Sequence, residues 1–77
     1  PMEPYNFNLD LSEADTPEGA ARVYADIRRQ SVRICRGLEA DGTITRKARA
    51  CREEVRANAV AAAGKPLVTA LWRTDAI

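Results

Sequence analysis

Cys35 and Cys51 have fifteen residues between them in a chain of 77, and no other feature narrows its possible folds so much. An apolar core of this size seldom supplies more than about 5 kcal/mol on its own, so chains of such length usually carry a staple. An even number of cysteines offers one disulfide, and disulfides persist in oxidising compartments such as the periplasm or the cell exterior. The spacing is not the C-x-x-C of a thiol oxidoreductase, and two sulfurs without histidine partners make a poor zinc site. With no histidine anywhere in the chain, Ser-His and Cys-His nucleophilic pairs are excluded as well. The expected cofactor and metal complement is therefore none, and the chain is expected not to be an enzyme.

Hydropathy patterning places the cysteines. Thr16, Pro17 and Glu18 form a helix start: a hydroxyl to accept from free amides, a proline at the first position and an acid at the positive dipole end. The first helix is expected from about Pro17 to Arg36, with Ala20, Val23, Tyr24, Ile27, Ser31, Ile34 and Cys35 on one face. Gly37 suits a left-handed cap at its end. Asp41 and Gly42 mark a turn, and Thr43 or Thr45 caps a second helix that reaches about Ala63, with Gly64 as its stop. Ile44, Ala48, Cys51, Val55, Ala59 and Ala62 share the apolar face of that helix. Both cysteines thus lie on apolar faces that an antiparallel hairpin brings together. Val60 falls on the polar side, where a returning segment has to cover it. Pro66 to Trp72 forms a short third helix, whose Leu67, Ala70 and Leu71 are expected to pack back.

Ahead of the helices, Tyr5, Phe7, Leu9 and Leu11 alternate with Asn6, Asn8, Asp10 and Ser12, the period of a β-strand. No later segment repeats that period, so the strand would carry unpaired backbone groups on both edges. The fold class is mainly α: a disulfide-linked antiparallel helical hairpin with an N-terminal β-strand arm and a short C-terminal helix. One domain is expected over residues 1–77, divided into an extended acidic arm (1–15), the hairpin (16–64) and the short helix with its tail (65–77).

Charge is unevenly spread along these parts. Residues 1–21 carry Glu3, Asp10, Glu13, Asp15 and Glu18 with no basic side chain, whereas residues 22–56 carry ten basic side chains against five acids. This favours docking of the arm on a basic helical surface, within one molecule or between neighbours. Arg22, Arg29, Arg33 and Arg36, with Asp26 among them, line the polar side of the first helix as a basic surface. Part of that stripe is intrahelical ion pairing. No aromatic residues are interleaved for base stacking, so nucleic acid is not an expected partner. Glu53 and Glu54 are adjacent and point about 100° apart on a helix, which prevents their converging as a catalytic pair. There is no apolar run near the ~18 residues of a membrane span, and a chain starting at Pro1 fits a mature form whose export signal is gone.

The strand Tyr5 to Ser12 with its Leu9-Asp10-Leu11-Ser12 core, the helix start Thr16-Pro17-Glu18-Gly19, and Ile27-Arg28-Arg29 leading to Val32-Arg33-Ile34-Cys35 resemble the UrcA family of small exported proteobacterial proteins. Cys51, Ala59-Val60, Pro66-Leu67 and Ala70-Leu71 continue the resemblance over nearly the whole chain. It departs at Glu13, Ala14 and Asp15, which stand as an insertion, at Asn8, where an acid is common, and at Trp72, where histidine is frequent. The resemblance implies export, a disulfide and a strand-plus-helices layout, with no catalytic residues to carry over.

Two functions follow as expectations. In one, the chain is an exported structural or interaction protein and a homo-oligomer, self-assembling into a dimer or an extracellular filament through the strand residues Tyr5, Phe7, Leu9 and Leu11. Folding of the strand back over its own hairpin is the alternative for those residues. In the other, a monomeric periplasmic module presents Arg22, Arg29, Arg33 and Arg36 to an anionic partner or lipid surface.

Overall fold

A computed structural model describes residues 9–40 and 42–75. It contains three helices, α1 (Pro17–Cys35), α2 (Arg46–Ala63) and α3 (Pro66–Asp75), with a single 3-10 turn over Arg36–Leu38. α1 and α2 make the expected hairpin and α3 folds back across them. The helix starts follow from their caps. The Thr16 hydroxyl accepts from the Gly19 amide at 3.0 Å and the Thr45 hydroxyl from the Ala48 amide at 3.0 Å, each satisfying an amide left free in the first turn. Of the two candidate caps for the second helix, Thr45 is the one used. α2 stops at Gly64, whose φ of 63° is left-handed backbone that glycine adopts without steric cost.

Gly37 is not the left-handed cap expected of it. α1 instead tightens into the 3-10 turn: the Arg36 amide bonds Arg33 O and the Glu39 amide bonds Arg36 O at 3.0 Å, so the last carbonyls are satisfied without a left-handed residue. The connection is reversed at Gly42 (φ 76°), flanked by an antiparallel pair in which Ala40 and Thr43 exchange N–H···O bonds of 3.1 and 2.8 Å.

Ala14, Ala20, Val23, Tyr24, Ile27, Ala59, Val60 and Val68 form one buried cluster, with Leu9, Leu11 and Trp72 packed on its rim. Nearer the disulfide, Ser31, Cys35, Ala48 and Val55 are buried. Ser31 belongs there because its hydroxyl donates to Ile27 O at 2.7 Å. The apolar face of α1 is therefore as expected, and that of α2 keeps Ala48, Val55 and Ala59 but not Ile44, which precedes the helix and is exposed, whereas that of α3 is rotated. Val60 is buried and Ala62 exposed, because α3 covers the side of α2 that a two-helix hairpin leaves in water. On α3 it is Val68 that is buried and Trp72 that is half-buried, while Leu67, Ala70 and Leu71 are exposed. Val68, Trp72 and Asp75 recur at the same i, i+4, i+7 spacing as a core-facing stripe, and Asp75 fixes the choice by accepting the Tyr24 hydroxyl at 2.6 Å.

The N-terminal arm departs furthest from expectation. Tyr5 and Phe7 lie outside the described residues, but Leu9 to Ser12 form no strand. The chain turns instead at Leu11: Ala14 N donates to Leu11 O at 3.2 Å and Thr16 N to Glu13 O at 3.1 Å. These turns drop Ala14 into the core and lay Leu9 and Leu11 half-buried against it. The turn depends on Gly19, because a Cβ there would overlap the Glu13 carbonyl, which rests on the helix backbone.

Candidate functional site

The disulfide closes the end of the hairpin opposite the arm. Cys35, the last residue of α1, bonds Cys51 in the second turn of α2, with a Cα–Cα distance of 5.9 Å. The residues flanking each cysteine therefore lie at this end of the hairpin, although at 100° per residue Arg33 and Arg49 point away from their own cysteines. From α1 and the 3-10 turn come Arg33 and Arg36; from the first turn of α2 come Arg46, Lys47 and Arg49. All five are exposed. None of them forms an ion pair among the described residues. Nearby, Glu39 neutralises Arg52 at 2.7 Å, with both side chains less than a fifth exposed.

The four expected arginines consequently divide. Arg22 holds Glu13 at 2.6 Å and Arg29 holds Asp26 at 2.9 Å, so the upper half of the stripe docks the acidic arm and α1's own acid. Only Arg33 and Arg36 remain available. Lys65 meets Asp15 at 3.6 Å, a second contact that ties the arm inside its own molecule. Asp10 accepts from the Ser12 amide at 3.0 Å, and its hydrogen bonds to Ser12, with help from Arg22, hold its carboxyl below the usual 3.8.

No family model matches the chain, and no curated protein or solved structure matches it. Its site has to be read from the chemistry of its own side chains.

Two clefts compete with the basic end. One of about 320 Å³ separates the arm from α1 and is walled by Asp10, Glu13, Arg22 and Asp26, groups already engaged with neighbours. The other, about 330 Å³, lies between α2 and α3 and is lined by Glu53, Arg56, Trp72 and Asp75. Asp75 accepts from Tyr24 and also from Arg56 at 3.0 Å. The Tyr24 hydrogen bond, with Arg28 and Arg56 nearby, lowers the Asp75 carboxyl from 3.8. Desolvation, and then the bond to Asp75, raises the Tyr24 phenol above 10.0. A phenol held more firmly to its proton is a poorer nucleophile and base, so the trio works as a latch that locks α3 onto α1.

Arg46, Lys47 and Arg49 are detectable in the sequence once a disulfide is expected, because the bond brings the segments that flank its two cysteines to the same end of the hairpin. The Tyr24–Asp75 contact has no such signal, since its partners are 51 residues apart.

Proposed function

We propose that this protein is a non-enzymatic, exported interaction module that binds an anionic partner through its disulfide end. The observation that carries the reading is that Arg33, Arg36, Arg46, Lys47 and Arg49 all lie at that end of the hairpin, exposed and without acid partners among the described residues. Unpaired cations gathered at one end of a molecule raise the positive potential there, which attracts anions. A net charge of only +1 means that such binding is a property of one end of the molecule. The Cys35–Cys51 bond supports an oxidising compartment, and the resemblance to the UrcA family supports the same export. Among the described residues no helix is long and apolar enough to cross a membrane.

Retention on a sulfated polyanion resin tests this. The oxidised chain is retained at low salt and released as salt screens the contact. Arg36→Glu elutes at lower salt than Arg73→Glu, which makes the same change in net charge on α3. Equal elution of the two variants overturns the reading.

Self-assembly is a second reading, and the polarity of the molecule supports it. Exposed Asp10 and Glu18 mark the arm end and five cations the other, a complementary pair for head-to-tail contact between copies. Its strand component rests on Tyr5 and Phe7, outside the described residues, because Leu9 and Leu11 already pack on their own core. Sedimentation at low salt decides it: a monomer at all concentrations removes this reading and leaves the first intact.

A further inference from the structure

The loop joining α1 to α2 places Leu38 and Ile44 in water, 44 and 46% exposed, more than any other large apolar side chain described. They stand at the two ends of one short loop. The Thr45 hydroxyl donates to Leu38 O at 2.6 Å, which draws together the two ends of the loop that carry them, and the Ala40–Thr43 pair fastens its tip. The loop is held from behind by the disulfide and by the Arg52–Glu39 ion pair. Two exposed aliphatic side chains thus stand on a braced tip, with exposed Arg33 and Arg36 in the chain just before it and exposed Arg46, Lys47 and Arg49 just after it. The remaining acid of the loop is Asp41, outside the described residues.

We infer that this tip docks on an anionic lipid surface, Leu38 and Ile44 entering the headgroup region while the flanking cations meet lipid phosphates. The inference rests on the anion-binding reading and narrows it. A soluble anion or an acidic protein segment would engage the cations but leave both aliphatic side chains in water; a bilayer takes both. A second copy of the chain is less well matched. Its acidic end turns Leu9, Leu11 and Ala14 towards its own core, and the apolar groove it offers, at Pro17, Leu67 and Leu71, would pair copies without any vesicle binding. Each cation near an anionic surface strengthens binding roughly fivefold, and burying two aliphatic side chains adds at least about tenfold.

Co-sedimentation of the oxidised full chain with vesicles tests the inference. Binding is expected to phosphatidylcholine vesicles containing phosphatidylglycerol and not to phosphatidylcholine alone, and to weaken with salt. The Leu38→Ser/Ile44→Ser variant, checked for blocked thiols and unchanged circular dichroism, is expected to bind the anionic vesicles about tenfold more weakly. Its retention on the polyanion resin is expected to match the unaltered chain, because the cations are intact. Arg36→Glu weakens both. Three outcomes overturn the inference: the double variant binding vesicles as well as the unaltered chain, equal binding to neutral vesicles, or no vesicle binding by a chain still held on the resin. The last leaves the anion-binding reading standing with a soluble partner. Loss of both vesicle and resin binding removes both.

Discussion

The two ends of the hairpin are closed by opposite means. At the arm end, turns through Leu11–Thr16 lay Leu9, Leu11 and Ala14 on the helices, and acids there pair with Arg22 and Lys65. The arm's Leu9, Leu11 and Ala14 go inward, and its Glu13 and Asp15 are matched by bases. At the other end a covalent bond holds the helices, Leu38 and Ile44 stay outside, and five cations stay unpaired among the described residues. A segment closed by burial has to use its apolar side chains for that purpose, whereas one closed by a disulfide leaves them available for other contacts.

The largest test of this contrast is removal of the bond. Cys35→Ser/Cys51→Ser is expected to lower stability by about 3 kcal/mol, the chain-entropy value for a loop of this length. Urea unfolding measures the loss. Hydrogen exchange localises it, with protection falling first around residues 36–48 and persisting in α1 near Ile27, which is fully buried in the arm-end cluster. Uniform loss of protection would mean that the two ends are not separately closed.

Next in size is Gly19→Ala. A Cβ against the Glu13 backbone has no room, so the arm has to lift or the helix shift, at a cost of about 1–3 kcal/mol. The fingerprint is exposure of Leu9 and Leu11 with the disulfide end unchanged. An unaltered urea midpoint would show that the arm's docking adds nothing to closure.

Tyr24→Phe comes third, at about 1 kcal/mol, because it removes the hydrogen bond that latches α3. That bond also has a pH window. Asp75 titrates below 3.8 in the folded chain, so its contribution is present above that value and lost as pH falls through the lowered one. Tyr24 is raised above 10.0, so its contribution is present below 10.0 and lost as pH rises through the raised value. The difference in thermal stability between the unaltered chain and the Tyr24→Phe variant is therefore expected to be flat near neutrality and to shrink at both extremes. A difference that persists in acid would separate Asp75 from the latch.

The smallest effect is expected from Leu38→Ser/Ile44→Ser, within about 0.5 kcal/mol, since both side chains already face solvent. A loss comparable to that of Gly19→Ala would mean that the disulfide end also closes by burial.

Features determined within a few residues are legible in the sequence alone. Thr16-Pro17, Thr45 and Gly64 bound the helices because capping is a local exchange of hydrogen bonds, and the disulfide follows from two cysteines on apolar helical faces. Where an alternation can be satisfied in more than one way, the sequence leaves the outcome open. The period of Tyr5 to Ser12 is that of a strand, yet Leu9 and Leu11 are placed by a turn whose anchor, Gly19, lies on the next helix.

Likewise Leu67-Ala70-Leu71 and Val68-Trp72-Asp75 are equally periodic faces of a ten-residue helix. Periodicity states that a face exists; which face is buried depends on the partner across it, here Tyr24 and Val60. The division of the arginine stripe has the same origin. Arg22 and Arg33 are alike in the sequence, and only the fold brings Glu13 to one and leaves the other in water, because burial and ion pairing are properties of neighbours in space.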